Sequence, residues 1–203
     1  MKKNKISKNW LNKQKRDIYV RKSKIEGYRS RAVYKFKEID EKFKVLSSVH
    51  SVVDLGAAPG SWSQYLAEKI KNGKIISIDL LKFKPIENTT QIVGDFNKDE
   101  CKITIKDFFK KKIDLVISDM AVNTTGNKNL DSMVTGELCL EAMSFSLDNL
   151  NKNGCFISKI FMGSNFNEIV ADATKSFMQV KIFKPLASRK DSKENFLICK
   201  ILR

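Results

Sequence analysis

Residues 52–62 read VVDLGAAPGSW: a short apolar run that ends in an acid, a turn of small residues, then an aromatic. The run is too short for a helix and reads as a buried strand. Gly56 and Gly60 let the backbone turn sharply and approach another group where a Cβ would collide. The segment from Trp62 to Lys71 has helical character and closes on Asn72-Gly73. Strand, tight turn and helix in succession are the opening of an α/β unit.

Outward from that stretch the alternation continues. Ala32, Phe36, Ile39 and Phe43 recur at helical spacing, which predicts a helix over 30–43 with Ser30 as its N-cap. Strands are predicted over 51–55, 74–80, 91–93, 113–118 and 155–161, and helices over 62–71, 99–110, 130–150 and 165–177. The last two strands, 179–183 and 195–202, have no helix between them and predict an antiparallel hairpin at one side of the sheet. Near-continuous apolar strands alternating with helices predict a mostly parallel, Rossmann-like sheet of seven strands covered on both faces. The 203 residues, 42% hydrophobic and 30% charged, suit one domain with a real core.

The net charge is +15, and residues 1–31 hold twelve cations against only Asp17 and Glu26. Trp10, Tyr19 and Tyr28 are interleaved with that charge. This pattern predicts an RNA-binding arm over 1–27 ahead of a catalytic domain over 28–203. No apolar run approaches the roughly 18 residues of a membrane span, and the N-terminus lacks a secretory h-region, so a cytoplasmic protein is expected. Cys101, Cys139, Cys155 and Cys199 form no C-x-x-C pair and read as buried thiols in a reducing compartment. With His50 the only histidine, no metal site is expected, and a general base falls to a lysine or a carboxylate.

In an open α/β sheet the ligand binds beyond the carboxyl ends of the strands. Those positions hold Asp54, Asp79, Asp95 and Asp119, with Lys159 on the fifth strand. The G-x-x-x-G spacing of Gly56 and Gly60 is not the G-x-G-x-x-G that cradles a pyrophosphate, which argues against a nicotinamide dehydrogenase. A small-residue turn beside strand-end acids suits a nucleoside-bearing cofactor without a pyrophosphate, and S-adenosylmethionine fits. Asp79 would accept from ribose hydroxyls and Asp95 from an adenine amino group. Lys35, Asp119, Lys159 and Glu194 form a second constellation, in which a lysine near another cation and partly desolvated would lose proton affinity and serve as a base.

The segments VVDLGAAPGSWSQYL, DLVISDMAVN, SKIFMG and RSRAVYKFKEID resemble the RrmJ/FtsJ-type ribosomal RNA 2′-O-methyltransferases, from about Lys13 to the C-terminus. The resemblance implies a class I S-adenosylmethionine-dependent methyltransferase fold and a catalytic Lys-Asp-Lys-Glu tetrad at Lys35, Asp119, Lys159 and Glu194. It implies cofactor contacts at Gly60, Trp62, Asp79, Asp95 and Asp119. The implied substrate is a uridine ribose in the peptidyl-transferase region of 23S rRNA, within the large ribosomal subunit, with the enzyme acting as a monomer. Departures from the family pattern are Ser61 for a glycine, Val122 for a proline, and Asn195 ahead of Phe196. The alternatives are the same reaction on another RNA such as tRNA, and a non-catalytic RNA-binding assembly factor.

Overall fold

A computed structural model describes residues 17–121 and 128–203. Seven strands form one sheet: β1 (Ser51–Leu55), β2 (Lys74–Asp79), β3 (Thr90–Val93), β4 (Ile113–Ser118), β5 (Leu150–Phe161), β6 (Phe177–Phe183) and β7 (Glu194–Leu202). Their order is β3-β2-β1-β4-β5-β7-β6. The first five pair in parallel, and β7 slots between β5 and β6, antiparallel to both. The expected antiparallel hairpin is therefore present, and only β7 runs against the sheet.

The helices are α1 (Ile18–Ile25), α2 (Val33–Phe43), α3 (Ser61–Lys69), α4 (Asp99–Phe109), α5 (Lys128–Asn149) and α6 (Phe166–Ser176). They cover both faces of the sheet. On one face, Phe36 and Ile39 of α2 meet Trp62 and Leu66 of α3 over Val52, Leu115 and Ile157. On the other, Ile105 of α4, Met143 of α5 and Ile169 of α6 pack on Val53, Val116 and Phe156. Strand parity assigns each side chain to its face. Because Cys155 and Ile157 point to the α2/α3 face, Lys159 follows them there. By the same alternation Phe196 and Ile198 carry Glu194 to that side. Phe36 itself is fully buried, stacked on Trp62 at 4.9 Å and edge-on to Tyr65 at 5.9 Å.

Two sequence expectations change. Ser30 is not the cap of α2. Ala32 occupies that position without a side-chain bond, while Ser30 Oγ accepts from the Ala32 amide and lies 2.8 Å from Ser61 Oγ. Residues 17–27, read as part of a basic arm with little apolar periodicity, form α1 and pack on the body of the fold. Asp17 caps α1 by accepting from the Tyr19 and Val20 amides, and its other oxygen pairs with Arg31. Tyr19 packs on Tyr34 at 5.3 Å, and the Tyr28 hydroxyl donates to Glu68. Neither ring is left over as a stacking platform. The remainder of the expected arm, residues 1–16 with Trp10, and the loop containing Val122 lie outside the described residues.

Truncating Phe36 removes the ring on which α2, α3 and β7 meet. Phe36→Ala is expected to destabilise the fold by about 3–5 kcal/mol, read as a lower denaturant midpoint at unchanged m-value.

Candidate active site

The carboxyl ends of the first four strands are tied together by backbone bonds. The amides of Gly56 and Ala57 donate to the Ile78 carbonyl, that of Gly94 to Asp79, and that of Asp119 to Leu55, at 2.9–3.0 Å. These ties bring Asp54, Asp79, Asp95 and Asp119 to one edge. Gly56 has φ +74°, and a Cβ there would lie 2.8–2.9 Å from the backbone of Met120. Its missing side chain is what lets the chain after β4 close against the first turn.

Each acid is held differently. Asp79 accepts from the Ala58 amide at 2.9 Å and the Leu81 amide at 2.8 Å, bridging the glycine turn and the end of β2. Asp95 accepts from the Asn97 amide at 3.0 Å. Asp54 is fully buried: one oxygen accepts from Ser63 Oγ at 2.6 Å, itself 2.7 Å from Ser77 Oγ, and Oδ1 has no partner. Burial, then the charges of Asp119 and Asp79, push its carboxyl up to about 7, against the pull of the Ser63 hydrogen bond.

The four residues of the second constellation form one continuous chain of ion pairs. Lys159 Nζ lies 2.5 Å from Asp119 Oδ1 and 3.6 Å from Glu194 Oε2. Lys35 Nζ, from α2, lies 2.8 Å from the Glu194 carboxylate, which also accepts from Ser188 Oγ at 2.8 Å. Lys159 donates further to the Asp119 carbonyl at 3.2 Å. Parity on β5 and β7 and the reach of α2 thus assemble Lys35, Asp119, Lys159 and Glu194 at one point.

The charge state of Lys159 differs from the sequence expectation. Burial alone would lower its pKa, but the charges and hydrogen bonds of Asp119 and Glu194 outweigh burial and hold it above the usual lysine value. The expected depression weighed burial and the second cation but not the two acids that meet the amine at 2.5 and 3.6 Å. For Glu194, burial raises the pKa, but the ammoniums of Lys35 and Lys159 and the hydrogen bonds of Lys35 and Ser188 outweigh it and hold the carboxyl below its usual range.

Beside this chain opens a cavity of about 230 Å³ lined by Ser30, Arg31, Lys35, Arg189, Ser192 and Glu194. Arg31 and Arg189 both face Asp17, the latter at 3.6 Å. Sequence reading missed this pair, since nothing in the spacing brings residues 31 and 189 together; their link through Asp17 is tertiary. It also missed Arg29, which donates to the carbonyls of Pro59, Lys84 and Pro85 and lies 5.7 Å from the Phe83 ring. Arg29 thereby fastens the β2–β3 loop over the glycine turn. At Gly60, φ +101°, a Cβ would meet its guanidinium at 2.8 Å.

Of the expected cofactor contacts, Gly60, Asp79, Asp95 and Asp119 stand at the strand-end edge. Trp62 is the exception. Its ring is in the core between Phe36 and Phe196, and its Nε1 donates to the Ala32 carbonyl at 2.7 Å. Only its backbone, at the start of α3, faces the turn side.

Parallel strands with strand-end acids, a glycine turn that opens a helix, and β7 inserted antiparallel define a class I methyltransferase fold. A family model of FtsJ-like methyltransferases matches residues 28–202, and the chain belongs to that family. It is 62% identical over 203 residues to the ribosomal RNA large subunit methyltransferase E of Pelagibacter ubique, covering 100% of both chains. It is 46% identical to the protein of the same name from Rickettsia bellii, over 95% of this chain and 87% of that one. A solved structure assigned as a ribosomal RNA methyltransferase from Plasmodium falciparum superposes with a TM-score of 0.77 at 35% identity, over 86% of this chain and 98% of that one.

Because the folded-state pKa of Asp54 lies above that of an unfolded aspartate, near 3.9, its contribution to stability is full below pH 4 and lost as pH rises through 7. The stability difference between wild type and D54N should therefore shift against the wild type from pH 4 to 7.5, measured by denaturant unfolding. A difference independent of pH would refute the assignment.

Proposed function

We propose that the protein transfers a methyl group from S-adenosylmethionine to the ribose 2′-hydroxyl of a uridine in the peptidyl-transferase region of 23S rRNA, acting in the cytoplasm as a single chain on the large ribosomal subunit. The observation that carries this reading is the ion-pair chain Asp119–Lys159–Glu194–Lys35 opening onto a cavity edged by Arg31 and Arg189. The names of the relatives support the choice of large-subunit rRNA.

The strand-end residues fit the proposed cofactor. Asp79 and Asp95 are acceptors suited to hydroxyl and amino donors, and the buried, unpartnered Asp54 Oδ1 lies beneath the turn. Arg29, the guanidinium at that turn, donates to backbone carbonyls. Gly60, Asp79, Asp95, Asp119 and the Trp62 backbone would hold the cofactor, whose contribution is a methyl group activated on a sulfonium.

The chain's own residues supply position and the fate of one proton. Arg189, the more exposed of the two arginines, would meet the RNA backbone at the cavity mouth, with residues 1–16 adding cations. The 2′-hydroxyl, which distinguishes RNA from DNA, enters beside Lys159. Lys159 orients that oxygen and takes its proton as the new bond forms. Asp119 and Glu194 aim the amine, at the cost of keeping most of it protonated near neutral pH. Lys35 competes for Glu194 and limits that effect. Alignment of this kind supplies on the order of 7–11 kcal/mol where it is good.

Lys159→Ala should lower single-turnover methyl transfer by about 10²–10⁴-fold while cofactor affinity changes less than a few-fold. In the wild type the logarithm of that rate should climb with pH from 7 to 9, since only the neutral amine accepts the proton and its pKa lies above the usual lysine value. Glu194→Gln removes a charge that raises this pKa and should move the profile to lower pH. A flat profile, or a wild-type rate in K159A, would end the base assignment. Mass-spectrometric mapping of ribose methylation in rRNA and tRNA, with and without the protein, tests the substrate.

A further inference from the structure

The helices of this fold run opposite to the parallel strands, so their C-termini and the strand starts share the end of the sheet remote from the catalytic edge. That end is basic. Lys44 follows α2, Lys71 lies between α3 and β2, Lys74 opens β2, Lys110 and Lys111 follow α4, and Lys152 sits near the start of β5; all six are exposed. Among the described residues none of them has a carboxylate within 4.0 Å. Glu41, Asp107 and Asp148 are the nearby counter-charges along the helices that end here.

A cavity of about 440 Å³ opens on this end, lined by Lys44, Lys152, Lys200, Ser47, Ser48 and Asn153. Its one acid, Asp114, is already saturated: the carboxylate accepts from the His50 and Ser51 amides, Ser51 Oγ and Asn151 Nδ2 at 2.5–2.9 Å. Lys200 Nζ donates to the Phe43 carbonyl at 2.5 Å, pinning one ammonium at the wall. The cavity thus presents lysine and hydroxyl donors with its carboxylate already spent.

We infer that this end of the sheet is a second RNA-docking face, which grips the phosphate backbone of an rRNA segment other than the one whose ribose enters the active site. The five residues of β1 separate the two ends by roughly 17 Å, about twice the Debye length at physiological salt. The far lysines therefore add little to the field at the catalytic edge, and they engage RNA by contact or not at all. Cations at helix C-termini also complement the helix dipole. That accounts for one charge per terminus but not for the consecutive Lys110, Lys111 and Lys112 or for the lysine-lined cavity. The inference rests on large-subunit rRNA as the substrate.

The test compares the triple variant Lys110→Gln, Lys111→Gln, Lys152→Gln with a control, Lys181→Gln, whose exposed lysine lies within β6, away from the helix C-termini. Binding to transcribed 23S rRNA is titrated from 50 to 200 mM salt. The slope of log affinity against log salt should shrink by about 3 in the triple variant. The control should leave it unchanged. Independently of any variant, lysine acylation of the wild type should show Lys110, Lys111 and Lys152 protected when RNA is bound. An unchanged slope with those lysines unprotected, in a wild type that still methylates 23S rRNA, overturns the second face alone. A wild type that neither binds nor methylates this RNA overturns the substrate reading and the face with it.

Discussion

A lysine ammonium inside a sheet is tolerated only if carboxylates meet it, and the geometry of this molecule follows from satisfying Lys159. Its side chain is 9% exposed, and it finds Asp119 and Glu194 within 4 Å. Removing one partner of such a buried pair costs about 3–5 kcal/mol, whereas a well-packed apolar substitute would cost nothing or add stability. The pairing is thus an expensive way to hold β4, β5 and β7 together, which accords with the base role proposed for Lys159. β7 must lie antiparallel beside β5 so that its first residue, Glu194, reaches the end of β5, and the register of Phe161 with Glu194 does this. α2 must then lie across the same face to deliver Lys35 to the other side of Glu194.

The strand-end edge is governed by a different economy, that of the backbone. The bonds from Gly56, Ala57, Gly94 and Asp119 to neighbouring strand ends leave little freedom in the turn, and Asp79 spends both its oxygens on amides around it. Carboxylates there organise the turn before any ligand arrives. Arg29 extends the same logic outward by fastening the β2–β3 loop, so the turn is held from beneath by Asp79 and from above by a guanidinium. The first cation of the R-S-R segment and the first turn of the sheet are mechanically one unit.

Strand and helix periodicity made the architecture legible in the sequence, down to the hairpin without a helix. Asp119 and Lys159 were legible because one stands at a strand end and the other interrupts an apolar run, whereas Lys35 and Glu194 show no such break and rested on the family resemblance. Three things were not legible. The helical segment 18–25 carries too many cations to show an apolar face, and it forms because Asp17 caps it and its tyrosine packs on Tyr34. The direction of the Trp62 ring was hidden, because a position two residues after Gly60 does not say whether ring or backbone faces the turn. The charge state of Lys159 was misjudged because sequence lists which charges are present but not which is nearest, and at 2.5 Å Asp119 dominates.

Net charge of +15 and an acid-rich catalytic edge coexist because the fold sorts charge by helix direction. Each helix after a strand begins at the carboxyl edge of the sheet and ends at the amino edge. Free N–H groups at the first favour carboxylates, and free carbonyls at the second favour ammoniums. Asp54, Asp79, Asp95 and Asp119 collect at one end, and Lys44, Lys71 and Lys110 at the other. The arginines near the catalytic edge, Arg29 and Arg31, escape this sorting only because carbonyls and Asp17 hold them. A strongly basic chain can therefore gather acids at one end of its sheet while collecting lysines at the other.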